Sequence, residues 1–154
     1  MLNDLDTPSP SGATVRQPLP DYHQMSEAFH ADIGDKPERH MILQLAAALA
    51  QLHRTSRIHP HRCAEVDRRR TELVILIDNW VAIHLPGRRG WPGPSTSLGV
   101  AADEMAAAQI DADQRQRHWE SVGDDSVHEA QTRLGGAANR WSDLVTEIVA
   151  AQPY

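Results

Sequence analysis

The chain has a single cysteine, a single lysine and no long hydrophobic run, and these shortages exclude several classes of protein. One cysteine, Cys63, cannot form a disulfide within the chain, which is typical of proteins from the reducing cytoplasm. The longest unbroken run of strongly apolar residues extends from Leu73 to Ile77, whereas a transmembrane helix needs roughly 18 such residues. We therefore expect a cytoplasmic protein that does not cross a membrane.

Acidic residues outnumber basic ones, and this balance argues against nucleic-acid binding. The chain has 21 Asp and Glu against 15 Lys and Arg, which gives a formal net charge of -6. Because nucleic acids are bound through Lys and Arg that neutralise phosphates, no nucleic-acid partner is expected. Lys36 is the only lysine, and this preference for arginine indicates a GC-rich bacterial genome. Residues 1–12 have neither a positively charged start nor an apolar stretch, so no secretory signal is expected.

Apolar residues recur three and four positions apart over most of the chain, which is the period of an α-helix, and no segment alternates as a strand does. We predict an all-α fold, a compact bundle of four principal helices plus a short N-terminal helix. The first two predicted helices run from Pro20 to Gly34 and from Pro37, capped by Asp35, to Arg57. The third runs from about Arg62 to Leu85. The fourth starts at a cap among Ser95–Ser97 and ends at Ile110, and the fifth starts at a cap among Asp124–Ser126 and runs to the C-terminus. Residues 1–20 contain four of the ten prolines and no apolar period, so we expect a flexible tail there and one domain over residues 21–154.

For three of these helices the sequence also predicts which residues are buried or how the helix packs. The second is expected to bury the stripe Met41, Leu45, Ala48, Leu49 and Leu52, and the third to bury Val66, Leu73, Ile77, Val81 and Leu85. The apolar run that starts at Leu73 covers more than one face, so we place the third helix at the centre of the bundle. The last helix follows a heptad from Val127 to Ile148, which also allows a homodimer, and its Gly135 and Gly136 are expected to mark close backbone packing or a bend.

The third helix and the loop after it contain a recurring pattern: Arg, Leu-Val, Ile-Asp-x-Trp, and a Ser-x-Gly turn that leads into a helix with an Asp. The positions are Arg70, Leu73, Val74, Ile77, Asp78, Trp80, Ser97, Gly99 and Asp103. Over roughly residues 40 to 112 the chain resembles the bacterial domain of unknown function numbered four-two-five-four, a helical family without an established activity. Thr96 and Glu104 stand where that family usually has Glu and Arg. If those two residues serve chemistry in the family, this chain lacks it.

Asp78 and Asp103 are the candidate catalytic residues. Two carboxylates held close together raise one another's pKa, and such a pair can perform acid-base chemistry or share a cation. This hypothesis requires the two groups to approach within about 6 Å. The alternative, which the pattern favours, is that Asp78 binds loop amides or Arg70 and fixes the loop.

The segment from Pro86 to Gly99 is the longest predicted internal loop, and it contains the candidate ligand-binding residues. These are Arg88, Arg89, Trp91, Thr96 and Ser97. The N-terminus of the following helix favours an anion, so two arginines near it predict a site for a phosphate or a carboxylate. The alternative is a solvated loop with Trp91 packed as a lid.

A weak metal-site candidate consists of His59, His61 and Cys63. An extended backbone would place these three side chains on one side, with His53 a turn upstream as a fourth ligand, and zinc accepts such donors. Because a helix is expected to start here and no second ligand cluster follows, the pattern favours a solvated turn.

Taken together, these features favour a helical binding or accessory protein that presents the loop of residues 86–99 to a protein or to a small anionic ligand. One alternative is an enzyme that uses Asp78 and Asp103 in a cleft between the third and fourth helices. Another is a structural homo-oligomer. No cofactor is predicted.

Overall fold

A computed structural model describes residues 18–31 and 39–153, and all regular structure in these ranges is helical. The helices are α1 (Tyr22–Phe29), α2 (Met41–Ile58), α3 (Cys63–His84), α4 (Leu98–Arg117), α5 (Trp119–Val122) and α6 (Asp124–Ala150), with a 3-10 turn at Pro60–Arg62. The predicted bundle of four long helices and a short N-terminal one is confirmed, and α5 is an addition to it. No helix among the described residues has the length and apolar character that a membrane span requires.

The chain enters the bundle through Leu19 and Pro20, which are both buried. Leu19 is only 1% exposed, and the carbonyl oxygen of Pro20 accepts a hydrogen bond of 3.0 Å from the indole Nε1 of Trp141 in α6. The predicted tail is therefore wrong for residues 18–20, because an apolar side chain between two prolines is fixed in the core. Residues 1–17 lie outside the described part of the chain.

Helix α1 begins with a capping box. The amide of Gln24 donates to Asp21 Oδ1 over 2.8 Å, and the amide of Asp21 donates to Gln24 Oε1 over 2.9 Å. The helix buries Met25, Ala28 and Phe29 and ends at Phe29. The predicted end at Gly34 lies outside the described residues.

Helix α2 begins at Met41, four residues after the predicted start at Pro37, which lies outside the described residues together with Asp35. Its cap is the His40 ring, whose Nδ1 accepts from the amide of Ile42 over 3.0 Å. Small residues dominate the buried face, which consists of Ile42, Ala46, Ala47, Leu49 and Ala50. Met41, which we expected inside, is 48% exposed because it precedes the first turn that faces the core.

Helix α3 buries the predicted stripe, but it does not lie at the centre of the bundle. Ile75 is 52% exposed and Leu76 is 46% exposed, and the helix packs only on α2, α4 and the 3-10 turn. The central position was wrong because the unbroken apolar run from Leu73 places two aliphatic side chains in solvent. Their exposure bears on the functional site below.

Helix α4 holds the central position. It packs against α1, α2, α3 and α6, and its N-cap is Ser97, as predicted. Its buried residues are mostly small: Leu98, Gly99, Ala101, Ala102, Met105, Ala106, Ala108, Gln109, Ile110 and Ala112. The helix continues to Arg117 and not to the predicted end at Ile110, because ion pairs of Asp111 support its last turns.

Helix α6 closes the bundle with its heptad face inward, as predicted. Its buried residues are Ala130, Ala137, Trp141, Leu144 and Ile148. The expected cap among Asp124, Asp125 and Ser126 was wrong, since the residue before the helix is Gly123 with a φ of 86° and no side chain caps it. The prediction of close backbone packing at Gly135 and Gly136 was also wrong. A Cβ at Gly135 would meet nothing within 4 Å, and a Cβ at Gly136 would meet only Arg140, at 4.0 Å.

Gly99, in contrast, lies directly against the backbone of α3. A Cβ there would lie 2.9 Å from Val74 Cγ1 and closer still to the Val74 carbonyl oxygen. Backbone atoms cannot move aside as a flexible side chain does, so the glycine is required by the helix contact.

We predict opposite effects for alanine at the two glycines. Gly99→Ala should lower the free energy of unfolding by about 1–3 kcal/mol, because it overpacks a helix contact. Gly135→Ala should raise it by about 0.5–1 kcal/mol, because alanine favours the helix and meets open space. Urea unfolding followed by circular dichroism measures both, and equal effects of the two substitutions would contradict the assigned helix contact.

Candidate functional site

The loop between α3 and α4, residues 86–97, is fastened at its start to the C-terminal end of α6. The Arg88 amide donates to the Ala151 carbonyl over 2.8 Å, and the Arg88 guanidinium donates to the Ala150 carbonyl over 2.9 Å. The amide of Gly87 donates to Gln152 Oε1 over 3.3 Å. A cation is stabilised at this end of a helix, where carbonyl groups and the negative end of the dipole face it.

This arrangement changes the prediction of an anion site at the start of α4. Arg88 binds the carbonyl groups at the C-terminus of α6, and Arg89 is exposed. The anion site that these two arginines would form stays a prediction. The N-terminus of α4 does bind an anionic group. The anion there is the carboxylate of Asp78, which belongs to the protein itself.

Asp78 fixes the end of the loop to α3. Its Oδ1 accepts from the amide of Gly99 over 2.8 Å, and its Oδ2 accepts from the hydroxyl of Ser97 over 2.6 Å. The Ser97 hydroxyl oxygen in turn accepts from the amide of Val100 over 3.0 Å. The interpretation that Asp78 binds loop amides is confirmed, whereas the alternative partner Arg70 binds elsewhere.

Asp103 is held by two basic side chains from two other helices. His53 Nε2 donates to its Oδ1 over 2.8 Å, and Arg70 donates through Nε over 3.1 Å and Nη2 over 2.6 Å. Burial by itself raises the pKa of Asp103, but the hydrogen bonds and charges of His53 and Arg70 outweigh it and lower the pKa to about 2. The cluster therefore joins α2, α3 and α4 through one carboxylate that is charged at neutral pH.

The two candidate catalytic carboxylates belong to separate networks. Asp78 and Asp103 share no partner, and the residues that bind them on α3 and α4 are set apart along both helices. On α3, Arg70 precedes Asp78 by eight residues, which is about 12 Å along the axis. Each carboxylate is already bound by donors of its own. A shared acid-base or cation site stays a prediction.

These contacts also account for the pattern that resembles a bacterial family. Arg70 and Asp103 form one link between α3 and α4, and Asp78, Ser97 and Gly99 form the other. The two departures lie on the surface, where Thr96 is exposed and Glu104 pairs with Arg140 over 3.5 Å.

Trp91 turns back over the loop and covers part of the core. It is half-buried, and its ring lies against Gly87, whose φ of 82° and missing side chain are both required there. Between this ring and α3 lies a pocket of about 500 Å³. Its wall is mainly apolar and includes Val81, Ala82, Leu85, Trp91, Pro92 and Pro94.

Sequence reasoning identified Trp91, Thr96 and Ser97 at this pocket and missed its α3 wall and its prolines. Val81 and Leu85 were assigned to the core, where they also contribute, and Ala82 carried no signal by itself. The alternation of Pro92 and Pro94 with small residues could have indicated a fixed apolar rim.

The later half of the loop is fastened to α6 by a carboxylate. Glu147 accepts from the amide of Ser95 over 2.7 Å and from its hydroxyl over 2.8 Å. Together with Asp78 and the Arg88 contacts, this bond holds the loop at three places.

The metal-site candidate has a different geometry from the one we expected. Residues 60–62 form a 3-10 turn and Cys63 starts α3, so His59, His61 and Cys63 are not on an extended backbone. All three are exposed, and the described residues contain no group of three His, Cys, Asp or Glu arranged to hold a metal ion. His53, the fourth candidate, binds Asp103.

The Asp103 cluster predicts a specific pH dependence. Because the pKa of Asp103 is about 2 in the folded state and 3.8 ordinarily, its ion pairs stabilise the fold above pH 3.8 and are lost as the pH falls through about 2. Asp103→Asn should lower the free energy of unfolding at pH 7 by on the order of 1–2 kcal/mol, a difference that shrinks on acidification.

Urea unfolding between pH 7 and pH 2 measures this difference. The matched control is Asp67→Asn, which removes an exposed partner of the same Arg70 and should change stability by less than about 0.5 kcal/mol. A gap between the wild type and Asp103→Asn that stays constant down to pH 2 would contradict the assignment.

Removing the Glu147 anchor should loosen only the later half of the loop. In Glu147→Ala, the amide of Ser95 should exchange with solvent deuterium about fivefold faster, as the loss of about 1 kcal/mol of hydrogen bonding implies. Asp143→Ala, one turn earlier on α6, is the control and should leave that exchange unchanged. If the Ser95 amide exchanges at an unaltered rate in Glu147→Ala, the assignment of Glu147 as the anchor is wrong.

Comparisons of the chain with family models, with curated proteins and with solved structures find no match. The resemblance to the domain of unknown function four-two-five-four therefore stays a prediction.

Proposed function

We propose that this protein is a binding module that recognises a partner protein through the loop of residues 86–97 and the neighbouring C-terminal half of α3. An apolar side chain of the partner occupies the pocket under Trp91. The single observation that carries the proposal is this pocket of about 500 Å³, open to solvent beside exposed aliphatic side chains and lined mostly by apolar groups.

The size and lining of the pocket suit an anchoring side chain. Pockets of about 300–1,000 Å³ with apolar and aromatic walls are typical binding sites, and large anchors in such pockets dominate the energetics of many interfaces. Among the described residues of its lining, the only charged one is Asp78, whose two oxygens are satisfied by Ser97 and Gly99. The pocket thus lacks a cation, and an apolar group fits it better than the small anion that the sequence suggested.

The fixed loop supports binding with little loss of conformational freedom. Asp78, Glu147 and the C-terminal end of α6 hold it at three places, and its prolines restrict the backbone further. A loop that is already ordered does not lose that entropy when a partner binds, which increases affinity.

The exposed face of α3 extends the apolar surface beyond the pocket. Ile75 is 52% exposed and Ile83 is 71% exposed, and Ala82, which lines the pocket, lies next to Ile83 and two turns after Ile75. Exposed apolar residues grouped on a surface are typical of protein interaction sites. The partner therefore has an apolar face that covers this part of α3 and inserts one side chain under Trp91.

A substitution that fills the pocket tests the proposal. Ala82→Arg places a long charged side chain at the mouth of the pocket and should reduce recovery of the partner at least about tenfold, the effect of losing about 1.4 kcal/mol. The measurement is cross-linking in a lysate of the native cells from a photo-reactive residue at position 83, followed by mass spectrometry. Ala64→Arg, an exposed alanine on the same helix, is the matched control and should recover the partner as the wild type does.

Two outcomes would contradict the proposal. One is a partner recovered equally with Ala82→Arg and with the wild type. The other is cross-linking only to a second copy of the chain, with a dimer in sedimentation velocity that Ala82→Arg abolishes. That result would favour the structural homo-oligomer in place of a separate partner.

A further inference from the structure

A second concave surface lies between α2, α4 and α6, and it is lined by arginines. The groove has a volume of about 460 Å³ and shares no lining residue with the pocket under Trp91. Its walls carry Arg57, Arg133 and Arg140 together with Glu104 and Asp111, and its floor is formed by alanines. Such a gathering of guanidinium groups is unexpected on a chain whose formal net charge is -6.

The acids in this cluster do not satisfy the arginines fully. Asp111 is a common acceptor for Arg57 at 2.9 Å, Arg115 at 3.2 Å and Arg133 at 3.4 Å. A charge-assisted hydrogen bond is normally about 2.7–2.9 Å long, so of the three only Arg57 is bound closely. One carboxylate thus serves three cations.

Arg133 and Arg140 are the arginines with donors to spare. Arg133 reaches Glu129 only at 3.7 Å, and Arg140 reaches Glu104 only at 3.5 Å. Their side chains are 53% and 60% exposed, and both residues lie on α6 seven positions apart, hence on the same face. Weak ion pairs of this kind contribute little to stability, so an incoming anion loses little by replacing them.

The floor of the groove is mainly apolar. Ala107 and Ala108 of α4 and Ala137 of α6 present methyl groups where longer side chains would fill the space. A planar ring can lie on these methyl groups while its anionic group faces the arginines. Guanidinium groups bind carboxylates and phosphates through paired N–H donors, and they also stack on aromatic rings.

We propose that this groove is a binding site for a small organic anion, an aromatic or similarly flat molecule with a carboxylate or phosphate group, held by Arg133 and Arg140. Arg57, which is fixed by Asp111 and by Gln114 at 2.6 Å, forms the end wall. The site is separate from the partner surface around Trp91, and its occupancy does not depend on that surface.

Phenyl phosphate is a suitable probe, because it combines a flat ring with a dianion. Titration at constant ionic strength, followed by ¹H–¹⁵N NMR, should shift the amides of Ala107, Ala108 and Ala137 and the Nε–H signals of Arg133 and Arg140, with a Kd in the millimolar range. Inorganic phosphate, which lacks the ring, should bind at least about tenfold more weakly. Benzoate replaces the phosphate by a carboxylate and tests which anionic group is preferred.

The double variant Arg133→Gln/Arg140→Gln should weaken phenyl phosphate binding at least about tenfold, since charge-assisted hydrogen bonds are lost. Both side chains are more than half exposed, so the fold should tolerate the change. Arg117→Gln, an exposed arginine of α4 outside the groove, removes one positive charge where the double variant removes two, and should alter Kd less than about twofold.

Three results would overturn the proposal. They are shifts of the wild-type spectrum that do not map to the groove, equal weakening by Arg117→Gln, and equal affinity for phenyl phosphate and inorganic phosphate. The Ala82→Arg variant separates this site from the partner surface, because it should bind phenyl phosphate as the wild type does.

Discussion

Helix α4 lies in contact with the five other helices, and this is possible only because its side chains are small. Gly99, Ala102 and Ala106 allow neighbouring backbones to approach on several sides at once. A larger residue at any of these positions would push a helix away and open the core. The small side chains of α4 therefore determine how closely α1, α2, α3 and α6 pack against it. Both the loop pocket and the arginine groove lie along the edges of α4.

Two polar links fix the position of α3 along α4. Asp78 binds the first turn of α4, and Arg70 binds Asp103 one turn later. Hydrophobic contacts between smooth, alanine-rich surfaces allow a helix to slide, whereas directional hydrogen bonds at two heights do not. These charged residues attracted a catalytic interpretation because their residue types are those of acid-base chemistry. In the fold Asp78 binds Ser97 and the amide of Gly99 and so holds the end of the loop, whereas Asp103 binds Arg70 and His53 and joins three helices.

Periodicity predicted the helices well, because the 3.6-residue repeat of α6 and the buried stripe of α3 depend only on local geometry. It failed where burial depends on neighbours far away in the chain. The run from Leu73 to Ile77 looked like a central element, although its outer residues face solvent, and α4 looked short because Asp111 is supported by arginines of other helices. The pocket wall at Ala82 and the direction of Arg88 could not be predicted either, since both are set by tertiary contacts that no local pattern encodes.

The bond between Trp141 and Pro20 joins two positions 121 residues apart in the chain. It connects the two ends of most of the polypeptide, so the segment of residues 18–20 and the last helix have to be in place together before this bond can form. Such a distant contact has a high entropic cost during folding and favours all-or-none assembly. Shortening the chain to begin at residue 21 would thus expose the middle of α6, at the opposite end of the sequence, and leave its indole without an acceptor.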